Sequence, residues 1–166
     1  NTELARDAGR KMGEQRGIWV DEYMRNSDED VFAAGDCAEK FSFFTKKPIG
    51  LRLASIAARE ARIAGVNVFG LRRRNEGTIG CFSTVVGNLA LGAVGLIERA
   101  AKEAVINYVV GSTSIPDKHP ATMPGTGRVW VKLLFDKSSK ALIGGQVAGG
   151  IPTAEIANML SFIVEK

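Results

Sequence analysis

Histidine all but disappears from this chain, since His119 is the one imidazole among 166 residues. No Cys-His or Ser-His-Asp arrangement drawing on a second imidazole can therefore exist, and His119-Pro120 reads as part of a loop. Cysteine is nearly as scarce. Cys37 and Cys81 stand too far apart for a CxxC or CxxxxC redox pair. Both read as inert packing residues kept reduced in a cell, and neither reads as a nucleophile. No zinc spacing is present either, so no metal site is expected. Long apolar runs are missing too. None reaches the roughly 18 to 20 residues that a membrane helix needs, and no signal peptide opens the chain, so the expectation is a cytoplasmic protein with no membrane partner. The net charge is only +4, and basic residues are scattered except at Arg72-Arg73-Arg74. Without the aromatic interleaving of nucleic-acid modules, that triplet reads as a solvated hinge, and no nucleic-acid partner is expected.

What is present is the balance of a soluble globular protein. Apolar residues make up 45% and charged residues 24% of the chain, enough to bury a real core. The length suits one ordinary domain, or one domain and part of another. The most informative stretch is Asn26–Glu39, NSDEDVFAAGDCAE. An acidic turn leads into Val31-Phe32-Ala33-Ala34, which predicts a short buried strand, and Gly35-Asp36 follows. A carboxylate just after a glycine at the carboxyl end of such a strand points out of the sheet edge, where α/β folds bind ligands. Asp36 is therefore the first candidate ligand contact. Read alone, the same residues also fit a buried strand that ends in an Asx turn.

Upstream, Asn1-Thr2-Glu3 predicts a short capped helix through Ala8, closed by Gly9, and Gly17–Asp21 predicts a strand. Downstream, Lys40–Ile49 reads as a loop whose Phe41, Phe43 and Phe44 either wall a ligand or anchor the loop to the core. From Leu51 to about Val66 a helix is expected. Leu53, Ile56, Ala57, Ala61 and Ala64 form its apolar face, and Arg52, Ser55, Arg59 and Arg62 its polar face. Composition then shifts, which divides the chain into residues 1–70, a charged linker over 71–77, and a second domain over 78–166. In that domain strands are expected over Thr78–Val86, Leu89–Val94, Ala104–Ser112, Val129–Phe135 and Ala141–Ala148. Helices are expected over Ile97–Glu103 and from Thr153 to the end. The polar turn Asp136–Lys140 makes Arg128–Phe135 and Leu142–Val147 a hairpin. The fold class is α/β (α+β), with an antiparallel sheet of about four or five strands and helices on one side. The sheet face not covered by helices could pair about a two-fold axis.

Asn26–Glu39 resembles the second flavin-binding motif of the FAD-dependent pyridine nucleotide-disulfide oxidoreductases. Its Gly35-Asp36-Cys37-Ala38-Glu39 form is most similar to the branch of NADH oxidases, NADH peroxidases and coenzyme A-disulfide reductases, although Asn26 stands where Thr is usual. The second half resembles the same family's carboxyl-terminal dimerisation domain at Val94–Glu98, Met123–Gly125, Val131–Asp136 and Ile143–Val147. Where that branch carries tyrosines near the Pro-Gly turn, Ala121, Thr122 and Met123 stand here.

The resemblance implies that Gly35 lets FAD approach the backbone and that Asp36 accepts a hydrogen bond from a ribityl hydroxyl. It implies that Leu53, Ala54 and Ser55 present a helix amino end to the pyrimidine edge of the flavin, where N–H groups and the helix dipole stabilise negative charge. It also implies FAD as cofactor, NAD(P)H as substrate of the parent protein, dioxygen, peroxide or a disulfide as acceptor, and a homodimer through 78–166. The GxGxxG loops that open the family's FAD and NAD domains are absent, and Gly125-Thr126-Gly127 stops short of one. The expectation is a carboxyl-terminal fragment of an NADH oxidase-like flavoprotein, without its amino-terminal FAD and NAD domains and without catalytic residues of its own. The alternative is a non-catalytic homodimerisation module that binds no cofactor.

Overall fold

A computed structural model describes residues 1–164. The chain divides into two compact units, Asn1–Thr78 and Ile79–Lys166. In the first, α1 (Glu3–Asp7) begins where the Asn1 Oδ1 accepts the Glu3 N–H at 3.2 Å. Beyond it the chain turns at left-handed residues: Arg16 (φ 62°), Met24 (φ 67°) and Gly35 (φ 80°). Gly17–Asp21 and Val31–Ala34, both expected as strands, are instead runs that bridge at single positions, Ile18 with Met12 and Ala38, and Phe32 with Arg25. Each turn redirects the chain before a ladder of paired hydrogen bonds can extend. The expected loop Lys40–Ile49 contains a small hairpin, in which β1 (Lys40–Phe41) pairs antiparallel with β2 (Pro48–Ile49).

The helix α2 (Ala54–Asn67) buries Ile56, Glu60, Ile63, Ala64 and Asn67. That stripe is rotated from the expected one and leaves Ala61 exposed. Two polar side chains lie inward because backbone groups need them. Asn67 Nδ2 donates to the carbonyls of Tyr23 (2.9 Å) and Arg73 (2.8 Å), and its Oδ1 accepts from the N–H groups of Arg72 (2.9 Å) and Arg73 (3.0 Å). The arginine triplet is thus tied to the helix end through its main chain. Ile63 and Ala64 complete a core with Val20, Met24, Ala33 and Ala38, against which Ile18, Phe32 and Ala34 pack.

The second unit is built on a five-stranded antiparallel sheet of order β3-β4-β7-β6-β5. Its strands are β3 (Cys81–Val86), β4 (Leu89–Gly95), β5 (Tyr108–Pro116), β6 (Arg128–Asp136) and β7 (Leu142–Gly149), with α3 (Glu98–Glu103) and α4 (Thr153–Val164). Thr78, expected to open the first strand, bridges to Ser42 in the first unit. β5 starts later than the expected Ala104 because α3 uses the intervening residues to close. The N–H groups of Ala104 and Ile106 return to Ala100 and Ala101, while Val105 takes a φ of 57°. Glu98 then fixes α3 to the sheet, accepting from Tyr108 Oη at 3.2 Å and from Lys132 Nζ.

α4 lies across β4, β7 and β3. It comes close because glycines face it. A Cβ on Gly92 would sit 3.0 Å from Ala157 Cβ, and one on Gly145 would sit 3.0 Å from Leu160 Cδ1 and 3.3 Å from Leu133 Cδ2. Register therefore places Leu133, Val131 and Val147 on the α4 side. The opposite face carries Phe82, Leu91, Trp130, Lys132 and Gln146 around a hollow of about 630 Å³. Among the described residues no helix is long and apolar enough to cross a membrane. Glu165 and Lys166, expected to continue the last helix, lie outside the described residues.

Candidate functional site

The Gly-Asp stretch folds as a single 3-10 turn, Gly35–Cys37, closed by the Ala38 N–H on the Gly35 carbonyl at 3.0 Å. Only a residue without a Cβ takes the φ of 80° at Gly35 without strain. The turn rests on α2 through two charged side chains. Glu60 Oε2 accepts the Gly35 N–H at 3.0 Å and Lys40 Nζ at 2.8 Å. Lys40 Nζ also donates to the carbonyls of Gly35 and of Ala38, the latter at 2.9 Å. Both side chains are only 2% exposed. Burial lifts the Glu60 carboxyl above its ordinary value, and its bonds to Lys40 and to the Gly35 N–H oppose this without cancelling it.

Asp36 itself is exposed. Its main-chain carbonyl accepts from Arg52 Nε at 3.3 Å, which sets the turn beside the start of α2. That helix has Leu53 as its N-cap, in extended conformation and with no side-chain oxygen to offer. Ala54 and Ser55 are exposed, and Leu53 is half-buried. The first-turn N–H groups therefore keep their donor capacity and the positive end of the helix dipole faces solvent. The structure thus brings all five expected residues, Gly35, Asp36, Leu53, Ala54 and Ser55, into one neighbourhood. An outward carboxylate stands beside free amide donors, a combination that suits a ligand bearing both hydroxyl groups and an electron-rich ring edge.

Lys40 and Glu60 are the residues that motif reading overlooked. Lys40 looks like the polar start of a loop, and Glu60 sits in Ala-Arg-Glu-Ala-Arg, which looks like solvent-facing helix. A signal was available in the spacing, because Ile56, Glu60, Ile63 and Asn67 recur at the helical interval of three and four. His119 lies exposed in the loop between β5 and β6, and Cys37 Sγ donates to the Ala34 carbonyl at 3.3 Å. Among the described residues no group of three or more His, Cys, Asp or Glu side chains could hold a metal ion.

Residues 81–166 match the pyridine nucleotide-disulphide oxidoreductase dimerisation domain. The chain belongs to the pyridine nucleotide-disulphide oxidoreductase family. Residues 1–61 match a second description from the same family, pyridine nucleotide-disulphide oxidoreductase. The chain is 35% identical over 151 residues to a CoA-dependent NAD(P)H sulfur oxidoreductase of Pyrococcus furiosus, covering 90% of this chain and 34% of that protein. It is 29% identical over 166 residues to an NADH oxidase of Methanocaldococcus jannaschii, covering 100% of this chain and 36% of that protein. Of solved structures, an NAD-dependent persulfide reductase from A. fulgidus matches with a TM-score of 0.89 at 35% identity, over 99% of this chain and 30% of that one. A water-forming NADH oxidase from Lactobacillus brevis matches with a TM-score of 0.87 at 28% identity, over 99% of this chain and 36% of that one. The chain thus spans about a third of the length of these curated relatives.

Proposed function

We propose that this family member acts as an FAD-dependent NAD(P)H oxidoreductase of NADH oxidase type, with Asn1–Thr78 supplying part of the FAD site. The observation that carries this reading is the pairing of an outward Asp36 with the uncapped start of α2, beside a left-handed Gly35 whose own peptide groups are already bonded inward. These features fit the flavin, because a polyol chain needs an acceptor and a ring that gains charge needs donors. FAD, when bound, carries electrons from NAD(P)H to an acceptor such as dioxygen, peroxide or a disulfide. Asp36 would hold a ribityl hydroxyl. Gly35 would leave room for the cofactor at the backbone, and the Leu53–Ser55 helix start would face the ring with its N–H groups. Such a helix end favours nearby negative charge by about 0.3 to 1 kcal/mol when exposed, and by more when a ligand covers it.

The test is Asp36→Ala in the complete protein, read as flavin absorbance per chain after purification. Losing a charged acceptor costs about 1.5 to 3 kcal/mol, so FAD affinity should fall roughly tenfold or more. Unchanged flavin content would remove Asp36 from the site.

A second reading concerns the other unit, which we propose pairs two copies of the protein. It rests on the exposed apolar stripe of α4, where Met159, Phe162 and Ile163 are 61%, 69% and 57% exposed. On this reading Ile79–Lys166 is a homodimerisation module with no chemistry of its own, which is compatible with the flavin role of the first unit. Val131 and Leu133, which belong to the sheet, face α4 and are not available to such an interface.

A further inference from the structure

Two charged side chains buried beneath one small turn need a reason. A buried ion pair costs desolvation that a hydrophobic pair of similar volume avoids, so packing alone does not account for it. The cost is visible here, since Glu60 Oε1 is buried with no hydrogen-bond partner and burial lifts the carboxyl above its ordinary value. What the pair achieves lies in the backbone ahead of Asp36. Glu60 takes the Gly35 N–H, while Lys40 takes the Gly35 carbonyl and the Ala38 carbonyl. Both hydrogen-bonding groups of Gly35 are thereby committed inward, and the far side of the turn is pinned as well. Asp36, which is exposed, is left on a turn whose preceding peptide groups are held on both sides.

We propose that Lys40 and Glu60 are positioning residues for the flavin contact, acting through Gly35 to fix the direction of the Asp36 carboxylate. The proposal rests on the FAD reading above. It separates the two halves of the Gly-Asp turn: Asp36 touches the cofactor, and the ion pair holds Asp36 where the cofactor needs it. A binding group held rigid in its bound orientation gains affinity by avoiding the entropy of ordering on binding.

The experiment is a cycle of FAD affinities in the complete protein, measured by titrating the flavin-free form and following flavin fluorescence. Lys40→Met and Glu60→Leu together remove both charges at nearly constant volume, and thermal unfolding of the flavin-free form checks that the fold survives. The paired substitution should weaken FAD binding about tenfold when Asp36 is present, and less than about twofold when Asp36→Ala is also present, because the effect runs through that carboxylate. An equal loss in both backgrounds would overturn the proposal, since a purely structural role weakens binding regardless of Asp36. So would no loss in either. If Asp36→Ala alone leaves affinity unchanged, Asp36 is not a flavin contact, which overturns the positioning role as well and is a separate result. Should the paired variant not fold, Glu60→Gln takes its place. It keeps an acceptor for the Gly35 N–H and should bind FAD within about threefold of the parent, whereas Glu60→Ala, without that acceptor, should lose about tenfold. Equal losses for Gln and Ala would overturn the role assigned to the Gly35 N–H bond.

Discussion

At the scale of single residues, Asp136 does the most visible local work in the second unit. Its Oδ1 accepts from Ser138 N (3.0 Å), Ser138 Oγ (2.6 Å), Ser139 N (2.7 Å) and Ser139 Oγ (2.9 Å). All four donors favour the ionised form. The Ser138 hydroxyl contributes most and the Ser139 N–H next, and together they bring the carboxyl from its usual 3.8 to about 2. The folded value lies below the unfolded one, so the stabilising contribution is complete above the unfolded value and is lost as pH falls. Asp136→Ala should therefore lower the melting temperature at pH 6. The gap to the parent should narrow between about pH 4 and about 2, where the parent carboxyl takes up its proton. Thermal melts of both proteins across that range check the prediction, and a gap that stays constant down to pH 2 would show that ionisation is not what the turn uses.

At the scale of elements, α2 shows both what local sequence reveals and what it hides. Its existence and length follow from the small-residue spacing, but its inward face does not. Arg59-Glu60-Ala61-Arg62 has the look of a solvated surface, and only the partners across the fold explain why Glu60 and Asn67 turn in. Asn67→Ala removes the bonds to Tyr23, Arg72 and Arg73. It should destabilise the first unit by about 1 kcal/mol or more, since four part-buried hydrogen bonds to Tyr23, Arg72 and Arg73 are lost at once. Urea unfolding measures this, and a loss below about 0.5 kcal/mol, the range of an ordinary surface change, would show that water replaces the side chain fully. The β6–β7 hairpin was legible for a different reason: a polar turn between two apolar runs specifies its pairing locally. Strand order is not local. β5 lies at the sheet edge, separated from its chain neighbour β4 by β7 and β6, and no pattern along the chain encodes that. The candidate site divides along the same line. The proposed role of Asp36 rests on a local pattern, Gly-Asp after an apolar run. The Lys40–Glu60 clamp, whose members are 20 positions apart, becomes visible only once α2 packs under the turn.

At the scale of the whole molecule, the question is which surface of the second unit can meet a copy of itself. A two-fold axis places the same patch on both partners, so the patch must be complementary to itself. The hollow on the sheet meets that condition poorly. It is concave, so two such hollows face to face would enclose a void, and Lys132 and Gln146 lie on its floor among the apolar Phe82, Leu91 and Trp130. The outer stripe of α4 meets it well. Met159, Phe162 and Ile163 project from one side of a convex helix, and two convex apolar helices can pack ridge into groove. On the proposal that the second unit pairs two copies, Phe162→Glu in the complete protein should give a monomer where the parent is a dimer, as read by sedimentation at micromolar concentration, while flavin content per chain stays as in the parent. Trp130→Glu, in the hollow, should leave the dimer intact. The reverse pattern, with Trp130→Glu dissociating the protein and Phe162→Glu not, would move the interface to the sheet face and show that the hollow is filled by the partner. Loss of flavin along with the dimer in Phe162→Glu would mean that pairing of the two copies is itself required to hold the cofactor.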